Sequence, residues 1–360
     1  MRHGLSRAAV QWGTVVKRVS SSSSEVRRKL DRFRAIRNDK GATREFALGI
    51  IESEANPELL AAALRALGEN VSHEDGPILR ELYHHFADSG RKRDAGGQLR
   101  GAILGALWHL RDRDDIPLAL EASRHREPSL NGDGELIRAA GLALLGVLDA
   151  EVAAYRAIAM LGLNDASPMS GEPALTAARL LANLGQREAL AMYALGAAPA
   201  GDVFESIRSR RASLPDVTAE SLRGLAGVPA DRLQPILERF AQAEDEVILL
   251  GLCDLLVSLD PDPLALELTR QLLRTASEDL YAVLATSIVA SRRTELIAIF
   301  VESLTAEVRQ PRLKIALDAL HHAPQTPEVE AAMAQLVART TTEPTLADLA
   351  DTFDEDEDDD

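Results

Sequence analysis

The sequence predicts an all-α chain, and three observations carry the prediction. Ala and Leu dominate a hydrophobic content of 46% in which aromatic residues make up only 4%. No run of β-branched or aromatic residues alternates with period two between turn signals, as a strand would. An apolar helix with the same final turn returns again and again along the chain. At 360 residues the chain exceeds the size that one compact core usually serves, so two globular domains or a linearly growing array are expected. The recurrence decides for the array.

The recurring helices are "NPELLAAALRALGE" (56–69), "QLRGAILGALWHLRD" (98–112), "ELIRAAGLALLGVLD" (135–149) and "PALTAARLLANLGQ" (173–186). Each has an Ala-rich middle, a Leu pair near its end and a Gly or Asp stop. Leu67, Leu110, Leu148 and Leu184 fall 43, 38 and 36 residues apart, a period that fits a two-helix unit. A shorter amphipathic helix follows each: "GPILRELYHHFADSG", "DIPLALEASRH", "EVAAYRAIAML" and "REALAMYALGA". The alternation continues less regularly through "AESLRGLAG" with "ADRLQPILERFAQ" and "DEVILLGLCDLLVSLD" with "DPLALELTRQLLRTA". It ends with "SEDLYAVLATSIVAS" and "RTELIAIFVESL", then "QPRLKIALDALHHA" and "TPEVEAAMAQLVAR". Seven or eight pairs result, blurred between residues 196 and 230.

Punctuation agrees with these helices. Asn56 before Pro57 places a capping side chain ahead of a proline at the first helical position. Gly68 and Gly185 sit where a left-handed residue would end a helix. Asp260, Pro261, Asp262 and Pro263 make a hard stop and restart. Ser22 with Glu25 has the spacing of a capping box for "EVRRKLDRFRAIRN". Ala at contact positions allows close approach and Leu supplies interdigitating ridges, but one pair cannot bury both faces, so pairs must stack.

The run "LRGAILGALWHLRDRDDIPLALEA" resembles a HEAT repeat, of the short HEAT-like variety also met in phycobilin lyases, with Arg100 and Arg138 where that pattern favours Arg. The resemblance covers roughly residues 42–339 and is strongest over 56–196. It implies a right-handed α-solenoid of antiparallel helix pairs, whose inner helices line a groove used mainly to hold other macromolecules. It is specific for fold and unspecific for activity. The expected organisation is a basic amphipathic segment and Ser linker over 1–24, a basic capping helix over 25–41, the repeats over 42–339 and a disordered acidic tail over 340–360.

Catalytic chemistry finds little footing. Deoxyhypusine hydroxylases, relatives in fold, hold two irons with several His-Glu dipeptides, and here only His73-Glu74 matches. HEAT-like DNA glycosylases need a basic groove, whereas residues 41–342 carry a net −14 between a basic head (+8 over 1–40) and an acidic tail (−10 over 343–360). The basic clusters Arg91, Lys92, Arg93 and Arg208, Arg210, Arg211 read as solvated corners, with phosphate binding as the alternative. His84, His85, His321 and His322 form adjacent pairs, which diverge by about 100° on a helix and do not chelate one metal. Cys253, the single cysteine, lies in "VILLGLCDLLVSL" and reads as a small core residue. No catalytic residue, cofactor or metal is assigned.

The ends differ from the body. Residues 1–19 space Leu5, Ala8, Trp12 and Val19 helically with four basic residues and no acid, a pattern suited to a cap, an anionic membrane or a targeting peptide. The helix from residue 25 should pack by Val26, Leu30 and Phe33 and show Arg27, Arg28, Arg32 and Arg34 outward, where an anionic partner could dock. With no apolar block of secretory or membrane-spanning length, a cytoplasmic protein is the default expectation. The leading expectation is a non-enzymatic scaffold or adaptor that binds a protein partner through its groove or basic N-terminal end. The alternatives are nucleic-acid or anionic-membrane binding through residues 1–40, and a groove enzyme of the HEAT-like lyase type.

Overall fold

A computed structural model describes residues 21–89, 93–127, 134–196 and 214–341. Among these residues there are eighteen α-helices and no β-strand. The chain divides into two compact units, Met1–Leu180 and Leu181–Asp360.

The first unit holds α1 (Ser23–Ile36), α2 (Lys40–Ser53), α3 (Pro57–Gly68), α4 (Gly76–Ser89), α5 (Gln98–Leu110), α6 (Ile116–Ala122), α7 (Glu135–Leu148), α8 (Ala150–Gly162) and most of α9 (Ala174–Asn183). Helices α3, α5 and α7 lie side by side, while α4 packs on α5, α6 on α7, and α8 on α7. Their shared core is a Leu stripe in which Leu59, Leu64, Leu67, Ile103, Leu107 and Leu145 are wholly excluded from solvent. The helices start where side chains satisfy the first free N–H groups: Asp39 accepts from Ala42, Asn56 from Leu59 and Asp149 from Val152.

Charged side chains set the register between successive pairs. Arg44 on α2 reaches 31 residues ahead to Asp75 (2.8 and 2.6 Å), which sits in the 3-10 turn before α4. Arg80 on α4 makes the corresponding reach of 35 residues to Asp115 (2.6 Å), in the 3-10 turn before α6, and also bonds Asp112. Arg100 and Arg138 are buried to 1% exposure. Arg100 pairs with Asp94 (2.8 Å) and Glu127 (2.6 Å), and Arg138 with Asp165 (3.0 Å) and the His125 carbonyl (3.0 Å). Buried guanidinium groups persist only when paired this way, so each ties its helix to one neighbouring corner.

The second unit holds α10 (Arg187–Gly196), α11 (Pro215–Arg223), α12 (Ala230–Phe240), α13 (Glu246–Ser258), α14 (Pro263–Thr275), α15 (Glu278–Ser291), α16 (Thr294–Leu304), α17 (Gln310–Leu320) and α18 (Pro327–Thr341). Two rows form: α11, α13, α15 and α17 in one, and α10, α12, α14, α16 and α18 in the other. Gly251 permits close backbone approach between α13 and α11, since a Cβ there would stand 2.5 Å from the Ala219 Cα of α11. Arg312, also buried to 1%, bonds the carbonyls of Leu273 and Ala276 and lies 4.6 Å over the Tyr281 ring. Asp262 caps α14 after the expected proline stop, and Cys253 is buried in α13.

Several details differ from the sequence reading. The capping helix expected over 25–41 ends at Ile36, and α2 begins at Lys40 because Asp39 caps it; α2 had no separate prediction. Ser22 stands at the start of α1 without a side-chain cap, while Glu25 instead approaches Arg28 and Lys29 one turn on. Gly68 is helical rather than left-handed; it lies against α5, with the Ala106 Cα 3.5 Å from where its Cβ would be. Gly185 is left-handed as expected (φ +69°). Helix α11 starts four residues before the predicted segment, at Pro215, and stops at Arg223; Gly224 follows it, packed against Leu190 where a Cβ would not fit. The basic residues Arg91, Lys92, Arg208, Arg210 and Arg211, the segment 1–20 and the tail from 342 lie outside the described residues.

Candidate functional site

Outward faces of α3, α5 and α7 carry small residues off the Leu stripe: Ala61 on α3, Gly101 and Ala102 on α5, and Ala139, Ala140 and Ala143 on α7. Side chains this short leave the space between neighbouring helices unfilled, and a trough results. It consists of two adjoining cavities of about 490 and about 410 Å³ that share Ala61, Arg65 and Gln98. The larger cavity is floored by the Ala and Gly residues and by Leu136, which is 41% exposed. The smaller is lined by Glu58, Arg93 and Asp94 besides the shared residues.

The ionic groups of the trough are not equivalent. Asp94 is spent on α5: it accepts from the N–H groups of Leu99 (2.8 Å) and Arg100 (3.1 Å) and from Arg100 Nε (2.8 Å). Arg65 donates from Nε to the Ala61 carbonyl of its own helix (3.2 Å) and meets no carboxylate among the described residues. Arg93 lies 3.0 Å through Nη1 from His85 Nε2, again with no carboxylate. Glu58 is exposed in the first turn of α3, seven residues and so two turns from Arg65. At the far end Glu172 accepts from the Thr176 N–H (3.1 Å). Two guanidinium groups with free donors thus stand beside an apolar floor.

Charge is divided unevenly along the chain. Residues 1–180 carry 25 Lys and Arg against 24 Asp and Glu, whereas residues 181–360 carry 15 against 32. The trough is lined by Arg65 and Arg93 against Glu58, Asp94 and Glu172, so what it offers a carboxylate is the pair of guanidinium groups at the junction beside the already occupied Asp94, in a unit that is close to neutral.

The N-terminal basic face is separate. Arg27, Arg28, Arg32 and Arg34 are all exposed on α1. Arg34 pairs with Asp31 (2.9 Å), Arg28 lies 3.8 Å from Glu25, and Arg32 stacks 4.4 Å over the Phe46 ring. The helix is held by buried Val26, by Phe33 against Phe46, and by Lys29, which donates to Glu54 at 2.8 Å. Burial opposes ionisation of Glu54, but hydrogen bonds from Lys29, from Ser21 and from the Asn56 and Ala55 N–H groups outweigh it and bring its pKa to about 2.

Of the basic residues singled out from sequence, Arg27, Arg28, Arg32 and Arg34 share one helix, and Arg93 belongs to the trough. Arg65, Gln98 and Leu136 were missed as site residues. A signal existed: Ala61, Ala102 and Ala140 recur at spacings of 41 and 38, in step with the Leu period but on another face. Elsewhere, burial pushes the Cys253 thiol up to about 12, which removes its nucleophilic form at neutral pH. His84, His321 and His322 are exposed and His85 half-buried. Among the described residues no three His, Cys, Asp or Glu side chains gather as a metal site requires, and no helix is long and apolar enough to cross a membrane. Comparison with protein-family models, with curated proteins and with solved structures finds no match.

Proposed function

We propose that this is a non-enzymatic binding protein, a right-handed α-solenoid of about seven to eight HEAT-like helix pairs, that holds a protein partner in the trough of its first unit. The observation that carries the reading is the trough itself: a floor of Ala and Gly across three neighbouring helices, bordered by arginines with unfilled hydrogen-bonding capacity. The row-wise packing of α3, α5 and α7 and the repeated 31- and 35-residue ion-pair reach support the repeat architecture. A trough of this kind accepts side chains from a macromolecule without needing a catalytic group.

Gly101→Leu provides the test. The first added carbon meets nothing closer than the Leu136 carbonyl at 3.8 Å, so the fold tolerates it while the rest of the side chain fills the trough. Pull-down from source lysate with the full chain should retain a specific protein that Gly101→Leu no longer retains. Equal retention by both chains would remove the trough from the function.

The exposed arginines of α1 favour a second reading, anionic partners at the N-terminal end. Replacing Arg27, Arg28, Arg32 and Arg34 together by Gln should then abolish a salt-dependent association with anionic vesicles or nucleic acid. Association that persists unchanged would end that reading.

A further inference from the structure

We infer that the segment seated in the trough is an acidic one: a stretch of partner protein that lays apolar side chains over Leu136 and the alanine floor and places a carboxylate on Arg65, Gln98 and Arg93. This deepens the trough reading and rests on it.

Polarity along the trough divides the two tasks. The larger cavity offers Leu136, Ala140 and Ala143, surface that gains from covering by apolar side chains. At its junction with the smaller cavity, Arg65 and Gln98 line both spaces, and Arg93 enters from the loop before α5. Among the described residues Arg65 uses only Nε, on its own helix, and its two Nη groups and the Gln98 side chain meet no hydrogen-bond partner. Three sets of donors therefore line one space in which one of the two carboxylates, Asp94, is already occupied by α5 and Arg100. Guanidinium groups recognise carboxylates through paired N–H donors, and such charge-assisted bonds are the strong ones. Glu58 sits two turns away on α3 and biases the outer end against a long acidic run, which limits the contact to one or two carboxylates. A basic segment would lose the arginines as partners and be repelled by them. A neutral one would cover the arginines without bonding them, at a desolvation cost.

The probe is a displayed library of random peptides, panned on the full-length chain, on Gly101→Leu and on the charge-reversed double variant Arg65→Glu with Arg93→Glu. Folding of each variant is checked by its helical circular dichroism and thermal transition. Peptides retained by the native chain and lost on Gly101→Leu should combine Asp or Glu with Leu, Ile, Val or Phe. Those same peptides should bind the charge-reversed chain about tenfold or more weakly, and its own selected set should shift to Lys and Arg. Trough-dependent peptides without acidic enrichment, or unaffected by charge reversal, would overturn the acidic assignment while leaving the trough as a binding site. No peptide sensitive to Gly101→Leu would overturn the trough reading as well.

Other occupants give other results. Tighter peptide binding after Asp354, Asp356, Asp358, Asp359 and Asp360 are changed to Asn would assign the arginines to the chain's own acidic terminus. A dimer in sedimentation that the double variant dissolves would seat a second copy there. Competition by a single-stranded DNA oligomer, lost on the double variant, would make the ligand a nucleic acid. Each of these overturns the proposal.

Discussion

Glu54 shows how much one buried side chain settles. Only 2% exposed, it joins α1 to the start of α3 through Lys29, Ser21 and two backbone N–H groups. Its folded pKa of about 2 lies below its ordinary 4.5, so its contribution is fully present above pH 4.5 and is lost as pH falls toward 2. The difference corresponds to roughly 3 kcal/mol. Unfolding by denaturant at pH 7 and pH 3 should show Glu54→Gln less stable than the native chain at pH 7 and the gap narrowing at pH 3. A gap independent of pH would refute the ionic account. Glu307 titrates in the same direction, to about 2, because hydrogen bonds from Arg309 and the charges of Arg309 and Arg312 outweigh the opposing effect of burial. Cys253, by contrast, is expected to resist a thiol-specific disulfide reagent in the folded protein and to react fully once denatured. Rapid reaction in the native state would contradict its burial.

At the scale of elements, glycines separate close packing from open surface. A Cβ on Gly141 of α7 would stand 2.6 Å from the Ser123 N and 2.7 Å from the Ala122 Cβ at the end of α6. Gly141→Ala should therefore destabilise by about 1–3 kcal/mol, because backbone has to move. Gly105 of α5 has nothing within 4 Å of its missing Cβ and lies exposed in a helix interior. Gly105→Ala should raise stability by about 0.5–1 kcal/mol. Thermal unfolding of the two variants side by side gives the sign of each. The ion pairs between turns make a further prediction. Asp115 is 1% exposed and accepts from Arg80, so Asp115→Ala should cost about 3 kcal/mol, more than Asp114→Ala at its exposed neighbour.

For the whole molecule, charge is the dominant asymmetry. The net −16 is carried by residues 181–360, which hold 32 acids against 15 bases. Moderate salt should screen this self-repulsion, so the thermal midpoint should rise between low and physiological ionic strength. A fall would show that attractive pairs such as Arg80–Asp115 outweigh the repulsion. The helices themselves were readable at this scale. The segments predicted at 230–242, 245–260, 262–276 and 293–304 match α12, α13, α14 and α16 within two residues at each end; the first three start after Pro229, Asp245 and Asp262, and α16 is marked by its apolar period alone. Helix α2 escaped because the only Gly between the basic run of α1 and Phe46, Ala47, Ile50 and Ile51 is Gly41, which lies inside α2 itself, so Asp39 alone marks the break.

Sequence by itself determined that the chain is helical, where most helices begin and end, that Cys253 is internal, and that charge is unequally shared. These follow from local rules: an apolar period, a capping side chain and a proline act within one or two turns. Tertiary structure alone decided what Arg100, Arg138 and Arg312 do, since an arginine in a helix looks the same in sequence whether it faces water or is buried against a distant carboxylate, as Arg100 and Arg138 are, or against distant carbonyls, as Arg312 is. It also decided the trough. Ala61, Gly101 and Ala140 are ordinary small residues along the chain, and only the side-by-side placement of α3, α5 and α7 turns their missing side chains into one continuous space beside Arg65.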